Sequence, residues 1–555
     1  MSSGFKHPKA FWLGAAAVCL GVFFHIPAYV GARKDHYVLR GMPWDRWMIA
    51  GMTLVIAGLG AVVYGIGVRL ARRTAAESSE AAESAELEFR ALDSSRLSPA
   101  HIKLMLVMIV AVAVDTLKPF TFTFILPGVA NEYNMASPSH PAPGQWPVAL
   151  WPFVAISGTV IGSLIWGHVA DRIGRRASLL IVATMFMSTA VCSAMPAIQW
   201  NLVMCFVMGF SVGGLLPIVY SLLTETIPVQ RRGQLIVLVA GLGTALGFLL
   251  ASWSANLLIP TFGWRIMWFF GVPTGLALIL LNRFIPESPR FLIARGRRAE
   301  AHAVMRSFGI VTADKSPPEE TVKEEEAETG AGQFLRRPYR GITITLIVFG
   351  LAWGLANFGF LVWLPSYVAK SGISASHITA ILAKAALFSI PSSLLVAWLY
   401  GRWGSRRTLI ASALLTSSTL GTFAVLGKDF PRHTLAFTAM LVALLISLWA
   451  SIAVIAPYSA EVYPTAIRAI GSGVSAGATK LGGVIALGMS VAAVAPPALA
   501  GSALLAAVPA GLAALMLLVF GIETRGRPLE EISSAILARL RSDTPEFADA
   551  VKSQP

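Results

Sequence analysis

Charge is scarce in this sequence. Asp, Glu, Lys and Arg supply 13% of its 555 residues, about half the share carried by soluble domains. Cysteine is scarcer: Cys19, Cys192 and Cys205 are the only three, all inside apolar runs and without pairing or metal-ligand spacing. They read as small apolar side chains, which argues against a disulfide framework. No Gly-x4-Gly-Lys-Ser/Thr loop occurs, so direct driving by ATP is not expected. Nor does the sequence hold a cluster of metal ligands or a nucleophile constellation, so no cofactor and no enzymatic chemistry are expected.

What fills the chain is apolar. Hydrophobic residues make up 55% of it, and mean hydropathy is +0.67. They come in runs of roughly 20 residues, long enough to cross a bilayer as helices. Barrel strands would be short and alternating. The formal net charge of +15 could point to nucleic acid, but the basic residues sit in short loops beside the runs, where topology accounts for them. The expected partners are therefore the lipid bilayer and a small solute, with no nucleic acid.

The runs organise the chain. Two, near 11–32 and 47–69, form an N-terminal transmembrane hairpin over 1–70. The first is too long for a removable signal peptide and lacks a small-residue cleavage site. A polar linker rich in Ala, Ser and Glu follows at 71–102. Twelve further runs fall six and six on either side of a polar segment. The expected units are an N-terminal six-helix bundle at 103–292, a cytoplasmic central loop at 293–340, a C-terminal six-helix bundle at 341–525 and a cytoplasmic tail at 526–555. The central loop contains the acidic run Glu324-Glu325-Glu326. Loops at 167–176, 225–233, 286–340 and 401–407 are strongly basic, whereas 130–147 and 257–263 hold no lysine or arginine and 369–375 holds only Lys370. The basic set belongs on the cytoplasmic side, which puts the C-terminus inside, as for a bacterial inner-membrane protein. The hairpin fits less well. An even span count places its loop outside, although that loop carries Arg33, Lys34, Arg40 and Arg46.

One basic loop recurs. Gly167-His168-Val169-Ala170-Asp171-Arg172-Ile173-Gly174-Arg175-Arg176 lies between two apolar runs, and a degraded copy lies at Gly401-Arg402-Trp403-Gly404-Ser405-Arg406-Arg407, with Gly401 in place of the acid. Two such loops at matching places imply a duplicated architecture. Glu225-Thr226-Ile227-Pro228 with Arg231-Arg232-Gly233 is mirrored by Glu461-Val462-Tyr463-Pro464 with Arg468. Pro286-Glu287-Ser288-Pro289-Arg290 and Glu523-Thr524-Arg525-Gly526 follow the last span of each half.

In this order, over about 103–532, the motifs resemble the major facilitator superfamily, and the last two resemble its sugar-porter signatures. The resemblance implies two pseudo-symmetric six-helix bundles that move a solute by alternating access. It also implies a cytoplasmic gate made of Asp171, Arg172, Arg175, Arg176, Glu225, Arg232, Glu461 and Arg468. Carboxylates at helix ends would pair with loop arginines in one conformation and release them in another, with Asp171 at the N-terminus of a facing helix. The hairpin and linker, 1–100, lie outside the resemblance.

Ionisable residues deep in the spans carry the functional signal, since each costs at least about 2.5–3.5 kcal/mol there. Asp115 and Lys118 stand three apart on one helix face. Lys384 lies in the eighth of the twelve spans, where it could also snorkel outward, and Lys480 lies near the centre of the eleventh. The resemblance puts these spans around one chamber. Three lysines against one aspartate leave a positive excess that an anionic substrate would balance. Sugar recognition would want several amides, and the mid-span positions offer little beyond Asn357. Trp353, Phe358, Trp363 and Trp449 could stack on a ring or simply pack, and Gly158/Gly162, Gly243/Gly247 and Gly473/Gly477 would allow close helix contact.

The stretch Asp115-Thr116-Leu117-Lys118 is similar to the Asp-Gly-x-Asp of aromatic acid:proton symporters, with the first acid kept and the second replaced by lysine. No proline follows Gly243 or Gly247, so the fifth-span signature of drug antiporters is missing, which favours uptake. The expected function is proton-coupled uptake of a small organic anion, a carboxylate, aromatic acids included. Asp115 would be the proton site, and Lys118, Lys384, Lys480 and Asn357 would hold the substrate. A sugar or other neutral-solute porter or exporter, and a transporter-like membrane sensor, stand as alternatives. The sequence fixes neither the oligomeric state nor the identity of the solute.

Overall fold

The computed structural model of the chain describes residues 6–66, 95–137, 144–310, 339–369, 372–426, 433–463, 465–492 and 499–524. Among them are 14 segments long and apolar enough to cross a membrane. Two form the hairpin, α1 (Pro8–Asp35) and α2 (Arg46–Ile66). The N-terminal half is α3 (Pro99–Tyr133), α4 (Leu150–Ala170), α5 (Arg175–Ala194), α6 (Ile198–Thr226), α7 (Val229–Phe262) and α8 (Ile266–Phe284). The C-terminal half is α9 (Arg340–Ala369), α10 (Ser376–Trp403), α11 (Ser405–Leu426), α12 (Thr434–Ser459), α13 (Gly473–Val491) and α14 (Leu499–Phe520). Two short helices, Pro289–Ala294 and Arg298–Ser307, follow α8. Among the described residues the one sheet-like contact is an isolated bridge between Ala136 and Pro147. The fold is thus the all-α one that the apolar runs imply. The acidic run, Lys370, the tail and most of the linker lie outside the described residues.

Helices close their own backbone hydrogen bonds, which lipid cannot supply, so what remains is to pack them. Small residues do that here. A Cβ added at Gly158 or Gly162 of α4 would lie 2.4 or 2.2 Å from the carbonyl oxygens of Phe206 and Phe210 in α6. The contact is reciprocal: one at Gly209 or Gly213 would lie 1.8 or 2.4 Å from the oxygens of Ala155 and Thr159. Gly243 and Gly247 seat α7 on Val112 and Ala113 of α3 in the same way. Gly473 and Gly477 do not follow the expectation, since a Cβ there would meet nothing within 4 Å. The close approach on α13 is made further along, where Gly482 lies against the Leu351 oxygen of α9.

The halves meet through α7 against α10 and α12, and α4 against α13. The fifth helix of each half therefore faces the second of the other, as a two-fold pseudo-symmetry requires. Regular helical bonding is altered in both halves, by Pro119, which gives α3 no amide to donate there, and by a π-helical stretch, Leu355–Leu361, within α9. Such interruptions loosen backbone groups and recur at functional sites.

The hairpin is joined by a glycine seam of its own: a Cβ at Gly14 or Gly21 would lie 2.6 Å from the carbonyl oxygens of Gly58 and Gly51. It packs along α5. Its loop, together with Tyr29 near the end of α1, reaches the ends of α3, α7 and α8, at the end of the bundle opposite the basic loops. That position agrees with the even span count rather than with the loop's own arginines, and Arg40 is held there by the Glu132 carbonyl oxygen at 3.2 Å.

The glycine contacts make a paired prediction. Gly209→Ala should destabilise the protein by about 1–3 kcal/mol, because carbonyl backbone cannot move aside for the methyl group. Gly477→Ala, in open space, should be neutral or slightly stabilising, as alanine is the better helix former. Thermal unfolding in detergent distinguishes the two; equal shifts would mean that the α4–α6 seam has been misread.

Candidate functional site

The end of the bundle that carries the basic loops is built twice from the same parts. In the N-terminal half, Gly174 enters α5 with φ 103°, a conformation that suits glycine. The turn brings the first amides of α5 onto Glu287, whose Oε1 accepts from Arg175 N at 2.8 Å, Ser288 N at 3.1 Å and Arg176 N at 3.4 Å. A carboxylate there satisfies donors that the helix itself cannot, and it complements the helix dipole. Burial pushes the Glu287 carboxyl above its ordinary pKa, and the amide bonds pull the other way. The Arg175 side chain turns to Glu225, with Nη2 to Oε1 at 3.0 Å, where Ser221 also donates at 3.0 Å. Arg176 Nε donates to Asn282 Oδ1 at 2.7 Å.

The C-terminal half repeats this with changed side chains. Gly404 has φ 99°, and Glu523 accepts from Ser405 N at 2.9 Å. Arg406 Nε donates to the Leu517 carbonyl oxygen at 3.1 Å. Glu461, the counterpart of Glu225, accepts from Tyr400 Oη at 2.9 Å and from the Thr524 hydroxyl. The charge that acts on it from across the interface is that of Arg232. A Cβ at Gly233 would lie 2.9 Å from both Glu461 Oε1 and the Tyr400 ring. Gly401 faces the Gln234 amide, so the acid missing from the second loop leaves room for a side chain of the other half.

Of the expected gate, then, Arg175 pairs with Glu225 within one half, Arg176 turns to Asn282, and the charge of Arg232 acts on Glu461 from the other half. Arg172 is exposed, and its carbonyl oxygen accepts from Arg295 at 2.7 Å. The side chains of Asp171 and Arg468 lie outside the described residues. Glu287 and Glu523 carry this geometry, yet sequence reading gave them no role. The signal was present as an acid at the same place after the last span of each half.

Mid-bundle, Asp115 is 3% exposed and its Oδ1 has no hydrogen-bond partner among the described residues. Lys480, half-buried on α13, acts on it electrostatically from the opposite half, with no ion pair within 4 Å between them. Tyr220 of α6 shares this environment, a neighbour that sequence alone did not single out. Asn357 is buried on the π-helical turn of α9. Two more polar atoms lie buried without a partner where the halves touch, Trp449 Nε1 beside Phe248 and Ser393 Oγ beside Gly241. The apolar cavity between Pro119 and Phe122 of α3 and Phe358 and Val362 of α9 measures ≈ 20 Å³, room for about one water molecule.

Two lysines turn out to sit elsewhere. Lys118 is fully buried inside the N-terminal half, donating to the Trp268 carbonyl oxygen at 2.9 Å, with its ammonium 5.1 Å from the Trp268 ring centroid and 5.8 Å from that of Phe186. The carbonyl lies where α8 breaks before Gly271 and also accepts from the Phe270 amide. Lys118 thus ties α3 to that break and does not join Asp115. Lys384 is exposed on the same face of α10 as Leu387, Phe388, Leu394, Leu395 and Trp398, a lipid-facing stripe from which its long stem can snorkel.

The N-terminal network can be tested by a double-mutant cycle. Arg175→Ala strands Glu225 and should cost on the order of 1–3 kcal/mol, less than a fully buried pair because both side chains are partly hydrated. Adding Glu225→Gln should return part of that loss in thermal unfolding; strict additivity would mean that the two side chains act independently.

Residues 143–536 match the sequence model of a family described as sugar (and other) transporter. The niacin transporter NiaP of Acinetobacter baylyi is 28% identical over 398 residues, covering 70% of this chain and 85% of that protein. The putative niacin/nicotinamide transporter NiaP of Bacillus subtilis is 25% identical over 371 residues, covering 67% and 83%. Among solved structures, the major facilitator superfamily proton:xylose symporter XylE of E. coli, bound to 6-bromo-6-deoxy-D-glucose, is similar with TM-score 0.61 at 19% identity, covering 79% of this chain and 100% of that one. At that identity the likeness is one of fold.

Proposed function

Because the chain belongs to the sugar (and other) transporter family of the major facilitator superfamily, and so is a multi-pass membrane transporter of a small molecule rather than an enzyme, we propose that its cargo is a small organic anion taken up with a proton. The observation that carries the reading is that Asp115 and Lys480, one from each half, lie within electrostatic reach of each other, with no ion pair to either among the described residues.

Net charge is what the membrane interior penalises, so each state that reorients has to be close to neutral there. Empty, the site balances ionised Asp115 against Lys480. An incoming carboxylate takes Lys480 as its partner. Asp115 then loses its counter-charge and is neutralised by a proton, which leaves the loaded site neutral as well. Competition for one lysine thus links one proton to one anion. Asn357 and the Trp449 indole N–H supply further donors near the interface. The ≈ 20 Å³ cavity fits a closed state; a substrate enters when the halves part at one face, and the attraction between Arg232 and Glu461 is the part of the gate that would yield. Lys118 and Lys384 have no place in this site.

The names of the relatives point the same way, since niacin is a small aromatic carboxylate. Basic loops on the cytoplasmic side of a bacterial inner membrane, with the C-terminus inside, complete the reading. A neutral-solute porter is the second reading, favoured by the loss of two lysines from the chamber.

Uptake into proteoliposomes, with radiolabelled niacin as the carboxylate probe and xylose as the neutral one, separates the readings. Lys480→Ala should weaken niacin uptake by a factor corresponding to several kcal/mol. Lys480→Arg should keep part of it, with the charge intact and the donor shape changed. Asp115→Asn should lose accumulation driven by a pH gradient and keep exchange of preloaded substrate. Lys384→Ala should behave as the parent. Xylose uptake that survives Lys480→Ala, with no niacin uptake by the parent, would replace this reading with the neutral-solute one.

A further inference from the structure

The hairpin has no counterpart in the family motifs, yet its loop makes specific polar contacts with the transport body. Glu132, at the end of α3, forms a buried ion pair with Arg265 at the start of α8, Oε1 to Nη2 at 2.7 Å with both side chains at most 3% exposed. Arg265 also donates to the Met195 carbonyl oxygen at 2.9 Å and to Tyr133 Oη at 2.7 Å, and Trp264 Nε1 donates to Glu132 Oε2 at 2.9 Å. The loop completes the carboxylate's shell from outside: Leu39 N and Arg40 N donate to Oε1 at 3.0 and 3.1 Å. His36 and Tyr37, both at positive φ, make the turn that presents these amides, a conformation that non-glycine residues adopt only where their surroundings hold them. Tyr29 Oη donates to the Phe262 carbonyl oxygen at the end of α7, and its ring stacks on that of Tyr37.

A loop that merely followed two extra anchors would need none of this. From the two amides on a buried carboxylate and the hydroxyl on α7, we infer that the hairpin loop is a clamp that binds the ends of α3, α7 and α8 into one body. The half that reorients during transport is then eight helices rather than six, and the hairpin moves with it. Because α3 carries Asp115, the clamp also fixes the proton site relative to α8 while the C-terminal half moves past it.

The test uses the full chain with Cys19, Cys192 and Cys205 replaced by alanine. Tyr37 Cβ lies 3.4 Å from where a Cβ on Gly263 would stand, close to the separation in a disulfide, so Tyr37→Cys/Gly263→Cys can be oxidised shut. Since Gly263 has φ 69°, Trp44→Cys/Trp200→Cys, whose parent rings lie 5.8 Å apart, repeats the closure with a short bifunctional thiol reagent at unstrained positions. Niacin uptake, which rests on the reading above, should be the same before and after either closure. Loss of uptake on closure, restored by reductant, would overturn the clamp by showing that the hairpin must move against its half. If no form takes up niacin, the melting temperature decides instead. Deleting residues 1–94 should lower it sharply and Glu132→Gln less so; an unchanged melting temperature in the deletion would overturn the inference whatever the cargo.

Discussion

A carboxylate on one half of the bundle and an ammonium group on the other have to answer to each other, because the membrane interior tolerates neither alone. That constraint organises the centre of this protein. Asp115 and Lys480, one from each half, act on each other electrostatically in mid-bundle, and further along α3 a small apolar cavity is lined by Pro119, Phe122, Phe358 and Val362. In such surroundings a charge pair interacts far more strongly than in water, and an unpaired charge costs correspondingly more. On the proposed reading, a pair of this kind registers the arrival of a third charge sharply and acts as a switch as well as a binding site.

A switch between halves needs each half to hold its shape. The basic face does this by repetition, with Glu287 and Glu523 capping the first amides of α5 and α11 behind a glycine at positive φ. What differs between the halves is the second carboxylate. Glu225 is paired with Arg175 of its own half, whereas Glu461 accepts from neutral hydroxyls, with the charge of Arg232 acting on it from the other half. At the opposite end, the buried Glu132–Arg265 pair and the hairpin loop stiffen the N-terminal half.

Much of this was legible in the sequence, for physical reasons. Spans announce themselves because lipid demands long apolar runs, and the duplicated loop with its glycine and arginines survives in Gly401–Arg407 because a turn at a membrane face permits few solutions. The glycine pairs in α4 and α7 were also legible, since little but helix contact calls for glycine at four-residue spacing. Rotation about the helix axis was not. Lys118 and Asp115 stand three apart in α3 and look like neighbours, yet one points at a broken helix inside its own half and the other shares an environment with Tyr220 and Lys480. Lys384 likewise looks central in the sequence and lies on the lipid-facing stripe of α10. Gly473 and Gly477 have the right spacing and face open space. Spacing fixes which residues share a face; only packing fixes what that face meets.

The coupling between Asp115 and Lys480 is tested most directly by watching the proton itself. Purified protein in weakly buffered detergent solution, with a pH indicator dye, reports proton uptake when niacin is added. Exchange of partners at Lys480 predicts that protons are taken up in proportion to the anion bound, and that Asp115→Asn binds niacin without taking up any. Niacin binding by the parent protein with no proton uptake would contradict it.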